Sequence, residues 1–275
     1  MSNHPVRPGS TALVTGGASG IGLGIVEAFL SAGLRVLVAD IRPDHLARAR
    51  EQLAWAGEQA RFFSLDVTDA GQWAAVSELV EDEFGALHIL CLNAGVGILG
   101  SMLDASETDW NWITSVNLHG VLLGIDTFLP HLHRHGQPAH IVATSSMGGL
   151  IVANDGGIYS AAKFGVVALA EGLRRDLADS NIRVSVLCPA AVNTNIFDHE
   201  RMRPAEFQTT AGPRNEVLID EMEAFAKQLL ALGRDPTEVG RMVLGGIINT
   251  EDYIFTDRNI LPTLVRRRNA LLAFA

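Results

Sequence analysis

Six short, nearly uninterrupted apolar or β-branched runs recur along the chain: Thr11 to Thr15, Arg35 to Ala39, Arg61 to Leu65, His88 to Leu92, His140 to Thr144 and Arg183 to Leu187. A strand with one wet face alternates apolar and polar residues; these runs do not, which is the pattern of strands buried on both faces. Between them lie Ile21 to Ser31, Asp44 to Ala56 and Trp73 to Phe84, with apolar residues three and four apart and enough length for the crossover helices that parallel strands require. The alternation predicts an α/β chain, a doubly wound parallel sheet of about seven strands with helices on both faces. No Pro/Gly/Ser-rich linker or fixed-period repeat interrupts it, so residues 1–275 read as a single domain. The alternation stops after Leu187. Residues 189–235 read as an insertion, a loop plus a helical stretch (Glu216 to Leu232). A helix (Thr237 to Thr250), a short strand (Tyr253 to Thr256) and a tail (257–275) carrying Arg266, Arg267 and Arg268 follow.

Composition narrows the partners. With 48% hydrophobic and 19% charged residues, the chain can bury a large core, and disorder is excluded as its main state. A formal charge of −10 argues against a nucleic-acid partner, which needs a basic face. Phe84 to Leu103 lacks charged side chains, but four glycines, His88 and Asn93 interrupt it, so a strand followed by a glycine loop fits better than a membrane span. Met1 to Ser10 has two prolines and no apolar run, so a cytoplasmic protein with no membrane contact is expected. Cys91 and Cys188 sit inside separate apolar runs and read as core thiols. The mean hydropathy of +0.20 predicts apolar surface shared between subunits, as in a homodimer or homotetramer, with Trp110 and Trp112 as packing candidates.

The first run leads directly into Thr15-Gly16-Gly17-Ala18-Ser19-Gly20-Ile21-Gly22, which opens the first helix. Gly16 and Gly20 permit a tight turn and close backbone approach to a pyrophosphate. Gly22 lets helix and strand pack closely, and the helix N-terminus around Ser19 and Ile21 offers unpaired N–H groups. The second run ends at Asp40, 20 residues beyond Gly20 and followed by Ile41, where a carboxylate can accept hydrogen bonds from adenosine ribose hydroxyls. A 2′-phosphate would meet a like charge there. NAD is therefore the expected cofactor, with NADP kept open by the nearby Arg42.

Tyr159 and Lys163 are four apart on a helical pattern, Gly157 to Leu177, and so share a face. An ammonium near a phenol is expected to lower its pKa from about 10, making Tyr159 a general acid/base. With the glycine turn, this pair makes the chain resemble the short-chain dehydrogenase/reductase family, which has a Rossmann-type fold. The matching pieces follow the family order: Thr15 to Gly22, Asp66-Val67, Asn93-Ala94-Gly95, Asn117 in the middle of a long helix, Ser146, Tyr159 with Lys163, and Pro189 to Thr194. The resemblance implies a role for each. Asp66 would bind the adenine amino group, Val67 would make a backbone contact beside it, and Asn93, Ala94 and Gly95 would line the adenosine region. Ser146, selected from Thr144, Ser145 and Ser146 by its spacing of 13 to the tyrosine, would bond the substrate oxygen. Lys163 would also hold the nicotinamide ribose, Asn117 a relay water, and Val192 and Thr194 after Pro189 the carboxamide.

Two positions depart from the family. Pro189-Ala190 replaces Pro-Gly, and Thr256-Asp257-Arg258 replaces an Asp-Gly-Gly type ending, which puts assembly through that sheet edge in question. His131, His133, His135 and His140 suit a helix C-terminus better than a metal, and no metal is expected. Substrate specificity falls to the loops at the carboxyl ends of the strands. Their candidate lining residues, Val96, Ile98, Leu99, Met102, Gly148, Leu150, Ile196, Phe197, Met202 and Phe207, are mostly apolar. The expected activity is interconversion of a secondary alcohol and a ketone on a bulky apolar or aromatic small molecule, aryl or steroid-like. The alternatives are an NADP-dependent ketoreductase, a non-catalytic dinucleotide sensor and a non-redox lyase or dehalogenase on the same fold. The last two would be expected to lose the tyrosine, the lysine or the glycine turn, and all three are present.

Overall fold

The computed structural model describes residues 4–152, 156–197, 203–207 and 216–273. One sheet holds β1 (Thr11–Thr15), β2 (Arg35–Asp40), β3 (Ala60–Ser64), β4 (Ile89–Leu92), β5 (Ala139–Thr144), β6 (Ile182–Cys188) and β7 (Tyr253–Phe255). The strand order is 3-2-1-4-5-6-7, and all pairs are parallel. The winding reverses between β1 and β4, which opens a crevice above their carboxyl ends, the place where ligands of such sheets bind. The expected doubly wound architecture is present.

The near-continuous apolar runs are explained by burial on two sides. Leu13, Leu37, Leu90, Ile141 and Val184 enter one core, and Val14, Val38, Cys91, Val142 and Leu187 enter the other. The helices are α1 (Gly20–Ser31), α2 (Pro43–Gln52), α3 (Ala70–Phe84), α4 (Glu107–Thr114), α5 (Gly120–Arg134), α6 (Gly157–Asp176), α7 (Glu216–Ala231), α8 (Pro236–Ile248) and α9 (Leu261–Leu272). Both thiols are buried, and desolvation pushes Cys188 up to about 12 and Cys91 further, so neither is a thiolate at neutral pH.

Several expectations are corrected. The third strand starts at Ala60, where pairing with Val36 begins, and ends before Leu65. The helix expected over Asp44 to Ala56 stops at Gln52. A 3₁₀ stretch, Ala54–Gln59, replaces its end, with Gly57 at φ 53°, a conformation glycine adopts without strain. The long helix around Asn117 is divided by a π turn, Ser115–His119, between α4 and α5. Trp112 is 1% exposed and belongs to the core of this chain, whereas Trp110 is largely exposed. The insertion is closed at its base by a bridge: the Asn193 N–H donates to the Arg234 carbonyl and the Arg234 N–H to that of Ala191. Most of the tail forms α9, which has no buried residue and lays Arg267 against the Phe164 ring. Among the described residues, no helix is long and apolar enough to cross a membrane.

One buried polar group ties stability to pH. The Ser185 hydroxyl donates to the Glu251 carbonyl, so the His140 Nε2, 2.7 Å from that hydroxyl, must itself be the donor. His140 Nδ1 is then a bare acceptor, buried and without a partner. A second ring proton there would find no acceptor, and Arg183 and Arg174 add repulsion; burial is the larger cause, and together they pull this histidine down to about 3. The folded chain therefore binds fewer protons than the unfolded one between the usual histidine value and about pH 3. His140 is expected to erode stability as pH falls through that window, by up to about 1.4 kcal/mol per pH unit. Urea denaturation from neutral to mildly acidic pH checks this: His140→Gln should flatten the pH dependence, and parallel curves would refute it.

Candidate active site

The glycine turn leads from β1 into α1. Gly16 and Gly20 have φ of 60° and 50°, in the left-handed region. A Cβ on Gly22 would lie 2.0 Å from the Gly16 carbonyl oxygen, so no side chain fits there. The Ser19 hydroxyl makes no capping bond, and the first turn of α1 faces the crevice without a side-chain cap. The Thr15 hydroxyl accepts from the Asn93 and Ala94 N–H groups at 2.9 and 3.0 Å, and Asn93 Nδ2 donates to the Thr15 carbonyl. Asn93 is thus a buckle between the end of β4 and the glycine turn, and Thr194 packs against Gly20 from the other side.

Asp40 closes β2 with its carboxylate 7% exposed. One oxygen accepts from the Ala18 N–H and the other from the Arg42 N–H. The Arg42 guanidinium turns to Asp44, at 2.8 Å. Ile41 stands largely exposed beside them. Asp66 holds the Thr68 N–H and hydroxyl through Oδ1, and the Val67 carbonyl accepts from the Trp73 indole, leaving the Val67 N–H as the group that can meet a ligand.

The polar residues of α6 meet those of β5 and the π turn at the carboxyl ends of β4 and β5. Lys163 is buried; its Nζ donates to the Thr144 carbonyl at 3.0 Å and lies 5.8 Å from the Tyr159 ring centre. A Cβ on Gly95 would come within 3.0 Å of Asn117 Oδ1 and 3.3 Å of Lys163 Nζ, and one on Gly148 would come within 3.4 Å of both Ser146 Oγ and the Tyr159 ring. Glycine at these two positions makes room for the four side chains to converge. The three hydroxyl candidates also separate. Thr144 donates to Asn93 and the buried Ser145 to the Lys163 carbonyl, whereas Ser146 accepts from the Gly148 N–H and turns its hydroxyl to the Tyr159 phenol.

Packing defines the surroundings of Asn117 and Tyr159. Asn117, placed by the wide π turn, grips Val96 with both ends of its amide, Oδ1 accepting from the N–H and Nδ2 donating to the carbonyl, each at 2.8 Å. Its side chain therefore fixes the loop after β4, and the wider spacing of the π turn breaks the regular helical ladder around it. The Tyr159 phenol is held above its ordinary value of 10 in the chain alone: burial raises it, and the Ser146 hydroxyl lowers it less. The expected lowering by Lys163 is absent because burial also pulls the ammonium down, to about 8.

Pro189 to Thr194 joins this group. The Pro189 carbonyl accepts from the Met147 N–H and Thr256 Oγ1 from the Ala190 N–H, so alanine replaces the family glycine without a left-handed backbone. Val192 is buried and Thr194 half-buried above the turn. Of the lining candidates, Val96 and Ile98 form a small apolar cluster with Trp112 and Ile158, against which Phe207 packs, while Phe197 rests on Gly97. Leu150 packs on the main core, and Met202 lies outside the described residues. Asp109 and Arg203 were not legible as site residues. Asp109 caps α4 with Ser106 and is fully buried, and Arg203 from the insertion pairs with it while lying 4.7 Å above the Trp112 ring. The Ser106-x-x-Asp109 cap is visible in the sequence, but nothing there reveals its ion-pair partner. His131 meets Ser77 and Glu81, and His135 meets the Leu87 carbonyl; among the described residues no group of three His, Cys, Asp or Glu could hold a metal.

A parallel sheet with a glycine turn at its switch point, an acid ending β2 and a Ser-Tyr-Lys group opposite defines a dinucleotide-binding fold of the dehydrogenase class. Comparison with known proteins gives the family. The family described as "short chain dehydrogenase" matches residues 10–204. The chain is 34% identical over 262 residues to a C alpha-dehydrogenase of Sphingobium sp., covering 95% of this chain and 85% of that one. It is 34% identical to 3beta-hydroxysteroid dehydrogenase 2 of Eggerthella lenta, over 70% of this chain and 75% of that one. A short chain dehydrogenase/reductase from Burkholderia phymatum, solved in complex with NAD, superimposes with a TM-score of 0.93 at 33% identity, covering 98% and 96% of the two chains. The chain belongs to the short-chain dehydrogenase/reductase family of oxidoreductases. Its residues fit the dinucleotide that the family binds: Gly16 and Gly20 take the left-handed backbone that draws the turn close under α1, and Ser19 leaves the N-terminus of α1 without a side-chain cap.

Proposed function

We propose that the chain is an NAD-dependent dehydrogenase that interconverts a secondary alcohol and a ketone on a bulky apolar or aromatic substrate. The observation that carries this reading is the convergence of Ser146, Tyr159 and Lys163 beside the glycine turn. A bound nicotinamide supplies the hydride acceptor for oxidation or the donor for reduction. Ser146 donates its proton to the substrate oxygen and orients it. Tyr159 takes the carbinol proton in oxidation and returns one in reduction, while Lys163 places positive charge beside the phenol and holds ribose hydroxyls. The Asn117 turn gives the proton a way from Lys163 to solvent.

Asp40 favours NAD, since a 2′-phosphate would face a buried carboxylate whose neighbour Arg42 is directed to Asp44. The apolar group of Val96, Ile98 and Phe207 and the adjacent Phe197 support an apolar substrate, and one relative is named for its action on a hydroxysteroid. Assembly as a homodimer or homotetramer is part of this reading; Leu122, largely exposed on α5, is available for it. The test is an NAD-coupled assay over aryl carbinols, hydroxysteroids, sugars and small polyols. NADH formation on the first two groups is expected, and turnover of polyols with none on aryl carbinols or steroids would sink the substrate assignment.

A further inference from the structure

The residue that reads the cofactor's ribose has a buried companion. His45 and Asp40 present side chains only 7% exposed each, and the imidazole Nδ1 stands 3.9 Å from Asp40 Oδ1. That separation is too long for a hydrogen bond but short enough for strong interaction between charges at a partly buried site. The same Oδ1 accepts from the Arg42 N–H, and Oδ2 is taken up by the Ala18 N–H of the glycine turn, so the carboxylate is held in place while the ring lies behind it. Four charged groups face the imidazole: Asp40 from β2, and Arg42, Asp44 and Arg48 from the start of α2. Arg42 and Arg48 both pair with Asp44, while Arg42 also acts on Asp40 through its N–H and, more weakly, through its charge.

We propose that His45 sets how strongly Asp40 rejects a 2′-phosphate, so that selectivity for NAD over NADP falls as the imidazole gains a proton. This rests on the cofactor reading above. When His45 is neutral, the carboxylate keeps its full charge and repels a phosphate on the ribose. When it is protonated, the pair is close to neutral and the repulsion is largely cancelled, while hydrogen bonding to ribose hydroxyls persists through either oxygen. Burial holds His45 below its ordinary value of 6.5, with Asp40 pulling the other way, so the neutral, NAD-selective form is the one present at neutral pH. His45 is a positioning residue: it acts through Asp40 and touches no reacting atom.

Calorimetric titration with NAD and with NADP, between about pH 8 and pH 5.5, tests this without reference to turnover. The ratio of the two dissociation constants is expected to fall about tenfold more over this range in the natural protein than in His45→Gln. The 2′-phosphate and Asp40 titrate in both proteins, so only the difference reports on His45. A second measurement uses the same pair of proteins. Near pH 6, repeating both titrations in buffers of different ionisation enthalpy should show proton uptake with NADP exceeding that with NAD by a larger margin in the natural protein than in His45→Gln, because the added phosphate raises the affinity of His45 for a proton. Parallel selectivity curves in the two proteins, or the same excess proton uptake with NADP in both, overturn the proposal while leaving NAD dependence intact. If neither nucleotide gives a saturable titration, both readings fail.

Discussion

Tyr159→Phe is expected to lower NAD-coupled alcohol oxidation by about 10²- to 10⁴-fold while leaving NAD affinity unchanged. The substitution removes one oxygen from a ring bordered by Ser146 and Gly148 and leaves the Lys163 to Thr144 contact intact. The pH profile gives a second readout. Burial raises the phenol above its ordinary value, so the natural rate of oxidation should climb as pH rises. The residual rate of the variant should lack that rise. Stopped-flow measurement of NADH formation, with NAD binding followed by fluorescence, separates the two effects, and unchanged turnover would remove Tyr159 from its assigned role.

The second large effect is expected at the glycine turn. Gly22→Ala places a methyl group 2.0 Å from the Gly16 carbonyl oxygen and 2.7 Å from Asn93 Nδ2. The first is backbone, and the second belongs to the buckle that holds the turn to β4, so neither can yield without moving the turn proposed to hold the pyrophosphate. Loss of saturable NAD binding is expected, with about 1–3 kcal/mol of destabilisation from overpacking. Gly172→Ala is the control. It lies inside α6 with nothing within 4 Å of its added Cβ, and should stabilise by about 1 kcal/mol with NAD binding unaltered. Calorimetry and thermal denaturation of both variants decide the matter; if Gly22→Ala binds NAD as the control does, the turn is not the phosphate site.

These residues differ in how readily they could be read. Gly16, Gly20, Gly22 and Asp40 lie within one βαβ unit, where local spacing fixes their geometry, and the structure places them as that spacing requires. Tyr159 and Lys163 share one helix and were legible for the same reason. Asn117 was recognised by resemblance, but its grip on Val96, a contact 21 residues away, was not legible. The phenol's upward shift was missed because spacing predicts which charges are near and says nothing of how much water is excluded. The ion pair of Arg203 with Asp109 spans 94 residues and breaks no local rule of the sequence.

The amino-acid sequence by itself determined the order of strands and helices, the burial of the sheet on both faces and the glycine turn between β1 and α1. Each of these follows from apolar period and glycine placement over a few neighbouring residues, where chain geometry leaves little choice. Only the tertiary structure decided how the hydroxyls of Thr144, Ser145 and Ser146 are partnered, how Asn93 and Asn117 tie neighbouring segments together, how Arg203 ties the insertion to α4, and that His45 stands beside Asp40. Those outcomes depend on which polar groups remain unpaired once distant segments meet and water is expelled, a balance set by packing between elements that sequence spacing cannot supply.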